Sequence, residues 1–153
     1  VCWGRGNGWV TAALTFIIDN MPAQHPSRVF YISLFRQMLK KISTLQDKQG
    51  FWHSSLLDTA SYPMPETSAS GFFTYSLFWG LNHGYLEKEE YLPIAKKAWN
   101  ALASVVHEDG KIGYVQPIGA DPKKVDINDT EVYGTGAFLL AATEYVKYLK
   151  HTK

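Results

Sequence analysis

Three short segments of this chain repeat one another. NGWVTAAL at 7–14, SGFFTYSL at 70–77 and TGAFLLAA at 135–142 each join a small polar residue to a glycine and then to an apolar run. Their glycines, Gly8, Gly71 and Gly136, stand 63 and 65 residues apart. A repeat at a fixed period constrains architecture before any motif does, because each unit buries its apolar face against its neighbours. The period is about twice that of the ~34-residue helical repeats, so each unit has room for two helices and generous loops.

Helical spacing supports this. Phe30, Leu34, Met38, Ile42 and Leu45 recur at three- and four-residue intervals, as do Ile94, Ala98, Leu102 and Val105, with lysines on the opposite faces (Lys40, Lys41, Lys96, Lys97). Segments after the repeated glycines are apolar or small on nearly every side, the pattern of a helix buried all round. The chain therefore reads as all-α and as a single piece over 1–153, with three buried inner helices alternating with two outer ones. The predicted spans are 7–20, 27–46, 67–83, 89–106 and 132–149. Gly84 marks a helix stop, and Asn7, Ser70 and Thr135 stand where short polar side chains serve helix starts. Two long loops, 47–66 and 107–131, carry the related signals DKQGFW and DGKIGY. Each loop precedes an inner helix, so both arrive at the end of the bundle where VCWGRGNGW begins.

Charge narrows the function. Fifteen Lys and Arg balance 14 Asp and Glu, for a net charge of +1, which gives no electrostatic footprint for nucleic acid or an anionic membrane. No apolar run approaches the roughly 20 residues of a membrane span. Cys2 is the single cysteine and has no disulfide partner. The chain opens on Val1 rather than Met, so the natural start is expected upstream, together with any targeting signal. The compartment stays open between cytoplasm and periplasm.

The motifs WGRGNGW (3–9), GFWH with LLD (50–53, 56–58), ETSAS (66–70), DGKIGYV (109–115) and YGTGAFLLAATE (133–144) occur in this order. Together they resemble the C-terminal part of the unsaturated glucuronyl and rhamnogalacturonyl hydrolases, glycoside hydrolase families 88 and 105, along essentially the whole chain. The resemblance implies part of an (α/α)6 toroid. It also implies a pocket at the inner-helix ends for an oligosaccharide whose nonreducing sugar is a Δ4,5-unsaturated uronate. In these families a carboxylic acid protonates C4 of the enol ether, water adds at C5, and the hemiketal opens to release the aglycone. The proton donor there is an aspartate N-terminal to the WGRGNGW motif, so it is expected upstream of Val1, and no catalytic residue is assigned within the chain. No cofactor or metal is implied, and the other partner expected is the N-terminal remainder of the barrel or another copy.

Position by position, Trp3, Arg5 and Trp9 fall on the substrate-lining tryptophan, arginine and tryptophan of these families. An arginine fork can pair with a uronate carboxylate through two parallel hydrogen bonds, and indole faces can cover a sugar ring. Trp52 and His53 are further sugar-contact candidates. At each position packing competes with binding: Trp3 and Trp9 as helix-end packing, Trp52 and His53 as a loop plug. Glu66 and Glu131, five residues before Gly71 and Gly136, read either as a carboxylate pair for acid–base work or as charges complementing helix N-termini. Tyr133 and Ala137 stand where these families often carry His and Pro, and Ser54-Ser55 lengthens the stretch after His53. The rival readings are a noncatalytic carbohydrate-binding or helical-repeat interaction module, and another toroid enzyme whose catalytic groups lie upstream.

Overall fold

A computed structural model describes residues 2–151. Five helices follow in order: α1 (Gly4–Asn20), α2 (Arg28–Ser43), α3 (Thr67–Asn82), α4 (Lys88–Ser104) and α5 (Val132–His151). Every predicted span meets its helix to within three residues. Among the described residues extended pairing is confined to three isolated bridges, Trp3 with Ser55, His53 with Pro65 and Val106 with Ile112.

The inner layer is α1, α3 and α5 side by side, with α3 between the other two; α2 and α4 pack outside. Burial follows that order. Thr67 through Gly80 of α3 are all buried, whereas α2 buries only Phe35, Leu39 and Ile42. A helix enclosed on every side must satisfy its own hydroxyls. Ser70, Thr74 and Ser76 do so by donating to the carbonyls of Glu66, Ser70 and Phe72, four residues back.

The repeated glycines lie at the crossings of the inner layer. A Cβ on Gly8 would come within 3.0 Å of the Phe72 Cβ, and one on Gly71 within 3.0 Å of the backbone carbon of Ala137. Each glycine thus meets the residue that follows the next repeated glycine. Gly136 has nothing within 4 Å of its corresponding position.

Two sequence expectations need correction. Asn7, Ser70 and Thr135 do not start the helices; α1, α3 and α5 begin three residues earlier, and these polar residues fall near the end of the first turn. Asn7 Nδ2 and Ser70 Oγ instead donate back to the carbonyls of Trp3 and Glu66. On α2 the buried line is Phe35, Leu39 and Ile42, while Phe30 is exposed and Leu34 and Met38 are only half-buried. Apolar residues fill two adjacent strips of this helix, and spacing alone does not tell which strip faces the centre. Gly84 performs as expected: at φ +68° it lets Tyr85 N–H reach the Gly80 carbonyl (2.8 Å) and its own N–H reach that of Leu81 (3.2 Å), closing α3.

Candidate functional site

Both long loops converge on the N-terminal ends of the inner helices. The first runs beside the start of α1, where Gly4 N–H donates to the Ser54 carbonyl and Leu56 N–H to that of Cys2, both at 2.8 Å. The second crosses the start of α3, where Thr67 donates through its N–H to Tyr114 O and through its hydroxyl to Gly113 O. The rim predicted from the chain order is therefore present.

Gln116 ties it together. Its backbone N–H donates to Glu66 Oε1 (3.0 Å), and its carbonyl accepts from both Arg5 Nη1 (2.6 Å) and the Tyr133 hydroxyl (2.5 Å). Its side chain accepts from Trp3 Nε1 (3.2 Å) and donates to the Asp121 carbonyl (2.9 Å). Four segments of the rim meet at this one buried residue. Sequence reasoning missed it, because most of its bonds run through backbone atoms, which leave no residue-type signature.

Arg5 is 4% exposed. Its guanidinium donates to the Gln116 and Pro117 carbonyls and lies between two rings, 4.8 Å from the centroid of Trp3 and 4.6 Å from that of Tyr133. Among the described residues no carboxylate oxygen comes within 4.0 Å of it. Its nearby charge partner is Glu66, which acts on it through space and across the Gln116 peptide rather than as a direct ion pair. Tyr133 has its phenol pushed up by burial, with Arg5 acting in the opposite sense.

Glu66 lies at the start of α3, wholly buried. Its carboxylate accepts from the N–H groups of Ser68, Ala69 and Gln116 and from the Ser68 hydroxyl. Burial raises its pKa above the ordinary 4.5, against the lowering effect of those bonds and of Arg5. With its oxygens enclosed by donors and no exposed surface, this carboxylate caps a helix and has no route to a sugar. Glu131 places its backbone carbonyl, not its carboxylate, at the start of α5, accepting from Gly134 and Thr135.

The remaining candidates divide. Trp9 is 52% exposed and packs against Phe72 with ring centroids 4.3 Å apart; standing four residues after Arg5, it shares a helix face with it. Trp52 is 0% exposed, edge-on to Phe73, and donates its indole N–H to the Ile42 carbonyl. No face of it is open to a ligand, so it is the core plug of the competing reading. His53 is 7% exposed, and its ring lies between the Tyr62 carbonyl (2.9 Å) and Asp47 Oδ2 (3.2 Å), where it ties together the two ends of the first loop. Trp3, Arg5 and Trp9 are thus brought together on α1 and its entry, and the side chains of Trp52 and His53 point into packing. Among the described residues no group of three or more His, Cys, Asp or Glu side chains could hold a metal.

Known proteins resemble the chain along nearly its whole length. It is 46% identical over 147 residues to the unsaturated 3S-rhamnoglycuronyl hydrolase of Formosa agariphila, a match spanning 96% of this chain and 39% of that protein. A solved glycosyl hydrolase family 88 protein from Bacteroides vulgatus superposes with a TM-score of 0.91 at 43% identity, over 95% of this chain and 43% of the other. A solved protein described as a polysaccharide lyase superposes equally well at 47% identity, over 97% of this chain and 43% of its own. The chain spans about two fifths of the length of the curated relatives it matches. The alternation of inner and outer helices is a section of the (α/α)6 toroid. With residues 1–149 matched by the family's sequence profile, the chain belongs to Glycosyl Hydrolase Family 88.

Proposed function

We propose that these residues form part of the substrate pocket of an enzyme that hydrates the C4=C5 double bond of a nonreducing-end Δ4,5-unsaturated uronate and so releases the adjoining sugar. The observation that carries this reading is Arg5: a buried guanidinium, flanked by two aromatic rings, with no carboxylate in direct ion-pair contact among the described residues. A uronate carboxylate can pair with it directly, received in a planar fork by the N–H groups not used on Gln116 and Pro117. Trp3 and Trp9 offer indole surface to the sugar. The curated relatives are named as unsaturated 3S-rhamnoglycuronyl hydrolases, which supports the same substrate chemistry.

In the proposed reaction an acid delivers a proton to C4, and water bonds to C5 and loses its proton; the resulting C5 hemiketal breaks its bond to the ring oxygen to give a C5 ketone, and the hemiacetal left at C1 collapses to an aldehyde, its hydroxyl proton passing to the departing sugar's oxygen. Glu66 is excluded as the acid by its enclosure. The acid is assigned to an aspartate preceding the GRGNG segment, contributed by the rest of the toroid. That remainder, or another copy of the chain, is also the proposed partner of the exposed flanks of α1 and α5.

The test is a time course of ultraviolet absorbance with the full-length enzyme. On an unsaturated uronyl disaccharide the signal of the C4=C5 bond should fall as the aglycone appears. The lyase description of one structural relative favours a second reading, in which the enzyme makes that bond. An absorbance that rises on an intact uronate polymer, with no loss on the unsaturated disaccharide, would establish the lyase instead.

A further inference from the structure

We propose that Glu66 is a positioning residue for the Arg5 niche: by holding the Gln116 N–H it fixes the direction of the carbonyls that orient the guanidinium. This deepens the reading above and rests on it for the contact between Arg5 and the uronate carboxylate. The residue type is unusual for its place. Glu66 is the N-cap of α3, and its carboxylate accepts from the second and third helical N–H groups, those of Ser68 and Ala69. The residues preferred in that role are Asn, Asp, Ser and Thr, whose short side chains reach these donors. Glutamate is a methylene longer than aspartate, and capping alone gives no reason for the extra length. Gln116 gives one: Oε1 also accepts from its N–H at 3.0 Å, across to the second long loop.

Backbone geometry carries the effect from Gln116 to Arg5. The Gln116 carbonyl takes Nη1 at 2.6 Å, and the next carbonyl, that of Pro117, takes Nη2 at 3.1 Å. Two adjacent peptides are thus aimed at one guanidinium. Just before them the chain passes through Tyr114 at φ +56°, a left-handed conformation that a tyrosine seldom adopts. Such strain persists where surrounding contacts over-determine it, and it clusters at functional sites. Here the start of α3 supplies those contacts: Thr67 donates to the Gly113 and Tyr114 carbonyls, and Glu66 receives the Gln116 N–H. Glu66 therefore sets the orientation of Arg5 through this peptide and not by touching it.

Two substitutions separate capping from positioning. Glu66→Asp keeps the charge and a preferred capping side chain but falls a methylene short of Gln116. Glu66→Gln keeps the length, so its amide oxygen still reaches the Gln116 N–H, while its NH2 group faces the Ala69 N–H and damages the cap. Each full-length variant is titrated by calorimetry with a saturated uronyl disaccharide, which lacks the double bond and cannot be hydrated, and with the methyl ester of that disaccharide. The ratio of the two affinities reads how well Arg5 meets the carboxylate, and a loss of stability alone does not move it. The wild type should favour the acid about tenfold, the scale of one charged hydrogen bond. That preference should fall towards unity in Glu66→Asp, although this variant melts at the higher temperature of the two. In Glu66→Gln it should persist, or rise as a nearby negative charge is removed. A preference unchanged in Glu66→Asp, or lost equally in both variants, would overturn the positioning role and leave Arg5 as the carboxylate site. Equal affinity for acid and ester in the wild type would overturn both. If the preference behaves as stated but the unsaturated disaccharide is not consumed, the hydrolase reading fails and the positioning role stands.

Discussion

Glu66 shows how much a single side chain settles at this rim. Ionised, it accepts from three backbone N–H groups and a hydroxyl, yet burial still raises its pKa above 4.5. An acid with a raised folded pKa holds more protons folded than unfolded, so its contribution to stability falls as pH rises from 4.5 towards the raised value, then stays flat. Glu66→Gln removes this dependence. It also turns an amide N–H towards donors, which should destabilise the fold by about 1–3 kcal/mol. Denaturation across the acid range should find the gap between wild type and variant largest at low pH and shrinking as pH rises; a gap that widens would mean a depressed pKa. Glu66 was readable as a helix-start residue from its place before Gly71. Its complete enclosure was not, because that comes from Gln116, fifty residues away. Trp52 and His53 were ambiguous for a related reason: an indole or imidazole in a loop looks the same in sequence whether it meets sugar or core.

At the scale of elements, the glycine repeat and its contacts make a paired prediction. A Cβ on Gly71 would meet the Cβ and backbone of Ala137 at 2.9 and 3.0 Å, where α3 and α5 cross. Backbone cannot yield as a flexible side chain can, so Gly71→Ala should destabilise by about 1–3 kcal/mol. Gly136→Ala meets nothing within 4 Å and should gain helix propensity, up to about 1 kcal/mol. Chemical denaturation of this chain carrying each substitution checks both; equal losses at the two sites would contradict the crossing geometry. The repeat period, the five helices and the inner–outer alternation were all present in the sequence, because apolar periodicity is a local property. The rotation of α2 about its own axis was not, since Phe35 and Leu34 belong to neighbouring strips and only packing against the inner layer chooses between them.

For the whole molecule, the two flanks of the inner layer are the informative surfaces. On α1, Val10, Phe16 and Ile17 are exposed, and on α5 so are Val132, Leu139 and Val146. Contiguous apolar patches beyond a few hundred Å2 are rare on monomers, so this chain by itself should associate. Sedimentation should show mass rising with concentration, and a monodisperse monomer would count against the flanks as contact surfaces. The toroid and the rim where the loops meet the inner helices were recoverable from motif order, while the junction at Gln116 was not, because Trp3, Glu66 and Tyr133 reach it only once the helices and loops have packed. The central claim is that Arg5 receives the uronate carboxylate, and a double-perturbation cycle in the full-length enzyme tests it most directly. Arg5→Lys keeps the charge but loses the planar fork, and methyl esterification removes the substrate's charge, so each alone should lower kcat/KM by about 1–3 kcal/mol of transition-state stabilisation. If the two groups touch, the combined loss should be no larger than the greater single loss; strictly additive losses, or wild-type kinetics for Arg5→Lys, would contradict the account.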